Sequence, residues 1–507
     1  MTPAPAPAPT SLRRLRQGTV LNLAGAAVTT VCTFGVALAT THALHPTGAG
    51  VVFALTSAFL IVAMILRLGT PTALVLFLAR SADEDGARSR AFARLSLRIV
   101  GPLALGGAVL AVGSAVLIGR LRPDTAIGRS TTLAICLGLL IPFSVLLDGT
   151  LAVSRGHHRM KPTVAVERIG RPLAQLVLSV AALLWWPTIL GLGLAWGLPY
   201  VPALVAAVWA TPQLRRRGPV ARVDVAERRE FHSFLWARTS VSVAQILYAR
   251  LDIVLLALLA GTRAAAIYGA ATRFVVVAQL TQQSIGTAFE PGLARAAGPA
   301  RSLADSPDAL ATMGRLYKTG TTWLVWLTWP MLLLCAVLAP WWLAVFGRDY
   351  VAGTGVVYVL VGSSLVSSGI GTVEVLLNLS GRARSLVAYN IVGVALMAGI
   401  DLALIPHLGA LGAAIGWATT MCFKNIAPLI EFWVRFRLHP FSARWVEAAV
   451  VTSVAGGVIP LAGRVLGGGV GALAGSVLGA VLWAGAVWRR RASAPPARDA
   501  RTSMDSR

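Results

Sequence analysis

The chain has 507 residues, of which 56% are hydrophobic and 13% are charged, about half the charged fraction of an ordinary soluble domain. Lysine and arginine number 45 and the acidic residues 20, which gives a formal net charge of +25. Such a basic balance is typical of nucleic-acid-binding proteins, but a mean hydropathy of +0.72 excludes a soluble binder of that class. The composition therefore predicts a polytopic membrane protein with no nucleic-acid partner.

Apolar segments recur along almost the whole chain. Residues 1–17 begin with alternating Ala and Pro and are predicted to form a disordered cytoplasmic tail. The apolar segment at about 18–40 is interpreted as a retained first span because it is longer than the apolar core of a signal peptide. A membrane-spanning helix needs about 20 apolar residues. Thirteen further segments of suitable length follow, at about 49–79, 95–119, 130–152, 163–186, 190–210, 232–260, 265–290, 317–339, 351–379, 385–405, 410–434, 445–463 and 468–488.

The sequence thus predicts an all-α polytopic membrane protein with about fourteen transmembrane helices. Gly69-Thr70-Pro71 interrupts the second segment and predicts a kink there. If the N-terminus is cytoplasmic, about 35 of the 45 basic residues lie on the inner side and about 6 on the outer side. This bias satisfies the positive-inside rule and predicts that both termini are cytoplasmic. A basic cytoplasmic linker is predicted at 212–231 and a cytoplasmic tail at 489–507.

The chain contains an internal repeat. Residues 47–80 align without gaps to residues 262–295, with about 10 of the 34 positions identical. The repeat therefore predicts that spans one to six and spans seven to twelve are two copies of one six-helix unit, with the same orientation in the membrane. We predict an N-lobe at 18–211, a C-lobe at 232–434, and two additional helices at 445–488. Parallel repeats with a binding site between them are typical of transporters.

Three stretches carry a family resemblance: Asp252 to Phe274, Phe346-Gly347-Arg348-Asp349-Tyr350, and residues 378–418. They resemble the polysaccharide-exporter branch of the MOP superfamily (multidrug/oligosaccharidyl-lipid/polysaccharide exporters), which also includes O-antigen-type flippases and the lipid II flippase. The resemblance covers spans one to twelve. It implies that spans one, two, seven and eight line a central cavity and that transport proceeds by alternating access. It also implies a polyprenyl-pyrophosphate-linked oligosaccharide as the substrate and the bacterial cytoplasmic membrane as the location.

Charged and amide side chains within the spans are candidates for binding the substrate, because a charge at mid-bilayer costs several kcal/mol. One guanidinium group can donate two parallel hydrogen bonds to phosphate oxygens. The pyrophosphate is therefore predicted to be bound by Arg67, Arg250 and Arg273. Alternatively, Arg250 or Arg273 pairs internally with Asp252 or a helix-end carbonyl. Gln279, Gln282 and Gln283 share one helical face and are predicted either to bind sugar hydroxyls or to join helices by hydrogen bonds.

The acidic residues Asp252, Glu374 and Asp401 lie within spans and are candidates for binding H⁺ or Na⁺ during coupling, with Asp252 favoured. Lys424 is expected either to pair with Glu431 or to remain solvated. No bound cofactor or metal is expected. The sequence lacks a GxxxxGK[ST] phosphate loop, so ATP hydrolysis by that route is not expected.

The leading hypothesis is a flippase for a cell-surface polysaccharide precursor. The alternatives are a lipid II-type peptidoglycan precursor flippase and a cation-coupled multidrug exporter, although the mid-span charges are mostly positive. A membrane glycosyltransferase or polymerase is less favoured because the outer loops are short. The expected partners are the lipid-linked sugar, membrane lipids, a polysaccharide polymerase and glycosyltransferases.

Overall fold

The structure is a computed structural model that describes residues 9–80, 86–157, 159–215, 220–273, 281–282, 285–286, 289, 292–295 and 307–493. Every regular element in these residues is helical, and none is a strand. The first half comprises α1 (Pro9–Ala43), α2 (Pro46–Leu66), α3 (Thr70–Ala79), α4 (Ala87–Leu121), α5 (Thr131–Gly156), α6 (Lys161–Thr163), α7 (Arg171–Trp185), α8 (Ile189–Gly197), α9 (Tyr200–Ala210) and α10 (Pro212–Arg215).

The second half is helical as well. It comprises α11 (Val225–Leu259), α12 (Thr262–Ala271), α13 (Pro307–Val337), α14 (Ala339–Val345), α15 (Thr354–Ile370), α16 (Val373–Leu379), α17 (Ala383–Leu408), α18 (Ala410–Phe436), α19 (Ala443–Ser453) and α20 (Ile459–Ser493). The prediction of an all-α membrane protein is therefore confirmed.

Ten stretches of the described residues are long and apolar enough to cross a membrane. They correspond to most of the fourteen predicted segments. The segments 445–463 and 468–488 fall within one run, Ala443–Arg490, and 163–186, 265–290 and 410–434 are not among the ten. In 163–186 a π-helical turn at Val164–Gly170 precedes the short helix α7, and much of 265–290 lies outside the described residues. The chain is a multi-pass membrane protein.

Glycine and proline break two of the long apolar segments. α2 ends at Leu66, Leu68 and Gly69 have positive φ angles of 48° and 66°, and Pro71 lies in the first turn of α3. Proline fits a first helical turn because its missing N–H is not needed there. The predicted kink is thus a complete break. In α20 the backbone leaves helical geometry at Gly467 and Gly468, which separates the last two predicted spans.

The chain folds into two compact units. The first comprises Met1–Val276, Leu343–Val356 and Val387–Thr420, and the second comprises Val277–Trp342, Val357–Leu386 and Met421–Arg507. This grouping differs from the predicted lobes at 18–211 and 232–434, and the six-helix repeat stays a prediction.

In the first unit, α2 packs closely against α12. A Cβ atom at Gly50 would overlap the backbone carbonyl of Thr262, and one at Gly269 would come within 2.8 Å of the Phe53 ring. Only glycine permits so close an approach of the two helices. This contact fixes Phe53 beside the end of α12, where Arg273 follows.

Candidate functional site

Two of the three predicted arginines line one cavity in the first unit. The cavity has a volume of about 50 Å³, and its walls include Arg250 of α11 and Arg273, which follows α12. Gln175, Trp196 and the threonines of α1 and α2 (Thr33, Thr40 and Thr56) supply polar wall groups. This volume holds a few water molecules and is too small for a sugar.

The Arg273 guanidinium lies over the aromatic ring of Phe53, 5.7 Å from its centroid. Its Nε atom is buried and has no hydrogen-bond partner. A cation over an aromatic face gains a modest electrostatic attraction but leaves the N–H donors unused. Arg273 therefore has a buried N–H group that can donate a hydrogen bond to an anion.

Neither cavity arginine forms an ion pair with a carboxylate in the described part of the chain, although Asp252, two positions from Arg250, lies close enough to act on its charge. The ion pairs found there do not include Arg250 or Arg273. Asp252, the internal partner considered for them, instead accepts hydrogen bonds from the Tyr268 hydroxyl and from its neighbour's backbone N–H at 2.8 Å. The described lining residues of the cavity thus include two guanidinium groups and no carboxylate.

Arg67 lies outside this cavity. Its guanidinium forms an ion pair with Asp148 of α5, and the two side chains are 16% and 9% exposed. It also donates to the Ser144 hydroxyl at 3.5 Å. Asp148 was missed by the sequence analysis, although it is an isolated acid within the apolar segment 130–152.

A polar network on α7 supports one wall of the cavity. Gln175 Nε2 donates to the Trp196 carbonyl at 2.7 Å, and Arg171 donates to Gln175 Oε1 at 3.4 Å. The Arg171 guanidinium also stacks on Tyr200, 4.8 Å from the ring centroid, and donates to its hydroxyl at 3.2 Å. The spacing of Arg171 and Gln175, one helical turn apart, is the signal that would have identified the pair.

Two of the three acidic candidates are buried in the first unit. Asp252 is 3% exposed and is bound by Tyr268. Asp401 of α17 is fully buried, and neither carboxylate oxygen has a hydrogen-bond partner. Its Oδ1 occupies the space in front of Gly416, where a Cβ atom would overlap it. One turn further along α18, the Thr420 hydroxyl is also buried without a partner.

The third acidic candidate, Glu374, lies in the second unit. It forms an ion pair with Lys424 at 3.8 Å. Glu431, the partner expected for Lys424, pairs with Arg382 and accepts from the Ser385 hydroxyl at 3.2 Å. Lys424 thus pairs with a different carboxylate from the one named in the sequence analysis.

The predicted glutamine stripe is described at one position only. Gln282 is helical and half-buried. Gln279 and Gln283 lie outside the described residues.

The model of the family described as "Polysaccharide biosynthesis protein" matches residues 15–296, more than half of the chain. The chain belongs to this polysaccharide biosynthesis protein family. A search of curated proteins finds no significant match.

Solved transporter structures share the fold. A structure of the lipid II flippase MurJ in its inward closed conformation is similar with a TM-score of 0.73 and 9% identity, covering 94% of this chain and 99% of the other. An inward-facing multidrug resistance MATE transporter of the MOP superfamily has a TM-score of 0.58 and 14% identity, covering 81% and 95%. A MOP superfamily transporter from Pyrococcus furiosus has a TM-score of 0.57 and 13% identity, covering 84% and 95%. The resemblance to the MOP superfamily is confirmed at the level of the fold.

The first unit of this family member offers two kinds of chemistry, and Asp401 is not among the residues that line the arginine cavity. Arg250 and Arg273 offer forked N–H donors, which suit phosphate oxygens. The fully buried Asp401 offers a carboxylate that is stable in its surroundings only with a proton or a cation, because an isolated buried charge is costly.

Proposed function

We propose that this polysaccharide biosynthesis family member is a flippase for a polyprenyl-pyrophosphate-linked oligosaccharide. The observation that carries the proposal is the cavity lined by both Arg250 and Arg273, neither of which forms an ion pair with a carboxylate among the described residues. A pyrophosphate would compensate the positive charge of these two side chains, and its oxygens would accept their hydrogen bonds. The family match and the transporter fold support the same class of function.

The other predicted side chains have secondary roles in this proposal. Gln279, Gln282 and Gln283 offer amide groups for sugar hydroxyls. Arg67 is a third cation for the substrate, but its ion pair with Asp148 has to be broken before it can bind phosphate. Because the cavity of about 50 Å³ cannot hold a sugar, the substrate enters only when the site opens, as alternating access requires.

We propose that ion coupling uses the buried acids of the first unit. Asp401 has no hydrogen-bond partner, so proton or Na⁺ binding would relieve its isolated charge. Asp252 is the second candidate, and the hydrogen bond that it accepts from Tyr268 makes it the weaker of the two. Glu374 is a weaker candidate because Lys424 already balances its charge.

The proposal places the chain in the bacterial cytoplasmic membrane with both termini on the cytoplasmic side. A separate polymerase and glycosyltransferases would extend and supply the saccharide. Labelling of single cysteines at Arg263 and at Arg384 with a membrane-impermeant reagent tests the orientation. We expect labelling from outside intact cells at Arg263 only; the opposite pattern would reverse the topology.

Transport by purified protein in proteoliposomes tests the function. The wild-type chain should move a fluorescent lipid-linked oligosaccharide between leaflets, and R250Q/R273Q should not. R263Q is the matched control on α12, since Arg263 is exposed and pairs with Asp349. Equal flipping rates for the wild type and R250Q/R273Q would refute the assignment of these two arginines as the binding site. Formation of glycosidic bonds by the purified protein would instead show that it is an enzyme.

Lipid II is the second candidate substrate. The structural similarity extends over 94% of this chain and 99% of the MurJ lipid II flippase, whereas the drug transporters compared are less similar. The same proteoliposome assay, with lipid II in place of the oligosaccharide, distinguishes the two candidate substrates by their flipping rates. Faster flipping of lipid II than of the oligosaccharide would favour the peptidoglycan precursor.

A further inference from the structure

A second, larger cavity in the first unit is unrelated to the arginine cavity. It has a volume of about 370 Å³ and is walled by α3, α4, α5, α9 and α10. None of its lining residues lines the cavity of Arg250 and Arg273. We call it the α4 groove. Its volume is in the range of small-molecule sites.

The α4 groove has an apolar interior that opens on an apolar surface. Leu74, Val145 and Val153 are buried in its walls. Leu97 and Val208 line it as well and are 50% and 36% exposed. Exposed leucines and valines continue along α4 beyond the groove, at Leu103, Leu105, Val109 and Leu110. Such a surface on a membrane protein faces acyl chains.

The groove carries two positive charges on α4. Arg90 and Arg94 are four residues apart and share one helical face. Arg90 is 7% exposed and donates to the Gln213 carbonyl at 3.3 Å, which fixes its guanidinium in the wall. Arg94 is exposed and makes no ion pair in the described part of the chain. The described lining residues include no carboxylate.

We propose that the α4 groove binds one anionic glycerophospholipid of the surrounding membrane. The phosphate would be held by Arg90 and Arg94, and an acyl chain would lie along the accessible lining residues Leu97, Leu146 and Val208. Arginine pairs recognise phosphate oxygens through charge-assisted hydrogen bonds, and the apolar wall excludes water from the chain. The inference does not rest on the proposed transport function.

Gly149 provides a direct way to fill the groove. It lines the cavity, and a Cβ atom added there would have no heavy atom within 4 Å. A large side chain at this position therefore enters open space instead of the packed core. Gly106 of α4 is the matched control, because it is exposed, has equally open surroundings, and does not line the groove.

Native mass spectrometry of the full chain in detergent measures the bound lipid. The probes are palmitoyl-oleoyl phosphatidylglycerol and phosphatidylcholine with the same chains. We expect one tightly bound phosphatidylglycerol and about tenfold weaker phosphatidylcholine. R94Q, R90Q/R94Q and G149F should each lower the affinity for phosphatidylglycerol by about tenfold or more. R98Q, which removes the same charge one turn further along α4, and G106F should leave it unchanged.

The outcomes distinguish binding in the groove from general attraction of lipids to the protein surface. Equal affinity for the two lipids, or wild-type affinity in R94Q and G149F together, would overturn the proposal. An equal loss in R98Q would indicate general surface attraction and would also overturn it. Competition with undecaprenyl phosphate distinguishes the lipid source: phosphatidylglycerol should stay bound, and its displacement would assign the groove to the carrier lipid instead. Flipping activity is not a readout, so failure of the transport proposal leaves this test intact.

Discussion

The three half-buried arginines predicted as site residues, Arg67, Arg250 and Arg273, form two contrasting sets. Arg67 is paired with Asp148 and hydrogen-bonded to Ser144, so its charge is balanced within the protein. Arg250 and Arg273 share a cavity and form no ion pair with a carboxylate among the described residues. A buried cation without a partner is costly unless water or an anion compensates it. Burial alone therefore does not identify an arginine that binds substrate. The absence of an ion pair with a carboxylate of the protein is the more informative feature.

The same contrast separates the two buried acids. Asp252 is held by the Tyr268 hydroxyl and a backbone N–H, whereas both oxygens of Asp401 lack a partner. We expect the ion-paired Arg67 and the hydrogen-bonded Asp252 to stabilise the fold, and we expect Arg250, Arg273 and Asp401 to serve the function. Substitutions on each side of this division should therefore have different effects on stability and on transport.

The largest effect is expected for loss of both cavity arginines. R250A/R273A should reduce flipping by about a hundredfold or more, because each charge-assisted contact to phosphate is worth about 1.5–3 kcal/mol. Thermal unfolding should be nearly unchanged, since no ion pair of the described residues is broken. Proteoliposome flipping rates measure the effect, with R263A as the control. A similar loss in R263A would show that any cation on these helices matters equally.

The second effect is on stability, at the paired arginine. R67M leaves Asp148 buried and uncompensated, so the free energy of unfolding should fall by about 3 kcal/mol. The double variant R67M/D148L removes both charges and should recover most of this loss. Chemical unfolding followed by tryptophan fluorescence measures the change. If R67M abolishes flipping at unchanged stability, Arg67 belongs with the binding arginines.

A close approach of two helices gives the third prediction. G50A places a methyl group on the Thr262 carbonyl and should cost about 1–3 kcal/mol by overpacking the contact of α2 with α12. G106A is the control, because a Cβ atom there meets nothing within 4 Å. The midpoint of thermal unfolding should fall in G50A only. Equal midpoints would mean that α2 and α12 are not in this contact.

The smallest expected effect distinguishes the two acids. Y268F leaves Asp252 with one hydrogen bond fewer and should cost about 1–2 kcal/mol of unfolding free energy. D401N removes an unpartnered charge and should be neutral or slightly stabilising, yet it should uncouple flipping from an imposed proton or Na⁺ gradient. Unfolding and gradient-driven transport are measured on the same preparations. Destabilisation by D401N with coupling intact would reverse the two roles.

The helical membrane fold was predictable because hydropathy and helix-breaking residues are local properties. Gly69 and Pro71 indicated the break between α2 and α3 without any tertiary information. The pairing of side chains was not predictable in this way. Arg67 and Asp148 lie on different helices and 81 positions apart, and no local pattern connects them. The same holds for Gln175 and Trp196, which join the cavity wall only after α7 and α8 pack together.

The site was therefore predicted in part. Mid-bilayer charge identified Arg250 and Arg273, which the structure brings into one cavity. The same criterion also selected Arg67, which does not line that cavity. The cost of burying a charge identifies a charged residue in a span, but it does not show whether another side chain of the protein compensates that charge. Asp401 was recognised as an acid within a span, but its lack of a hydrogen-bond partner and its packing against Gly416 of the next helix are tertiary features that no local pattern shows.

Equilibrium binding of undecaprenyl pyrophosphate tests the central claim most directly. The wild-type chain and the single variants R67Q, R250Q and R273Q are compared at constant ionic strength in the same detergent. We predict that R250Q and R273Q each weaken binding by about tenfold or more, while R67Q changes it by less than about threefold. Wild-type affinity in R250Q and R273Q, or a loss in R67Q as large as theirs, would contradict the claim that the unpartnered arginines bind the pyrophosphate.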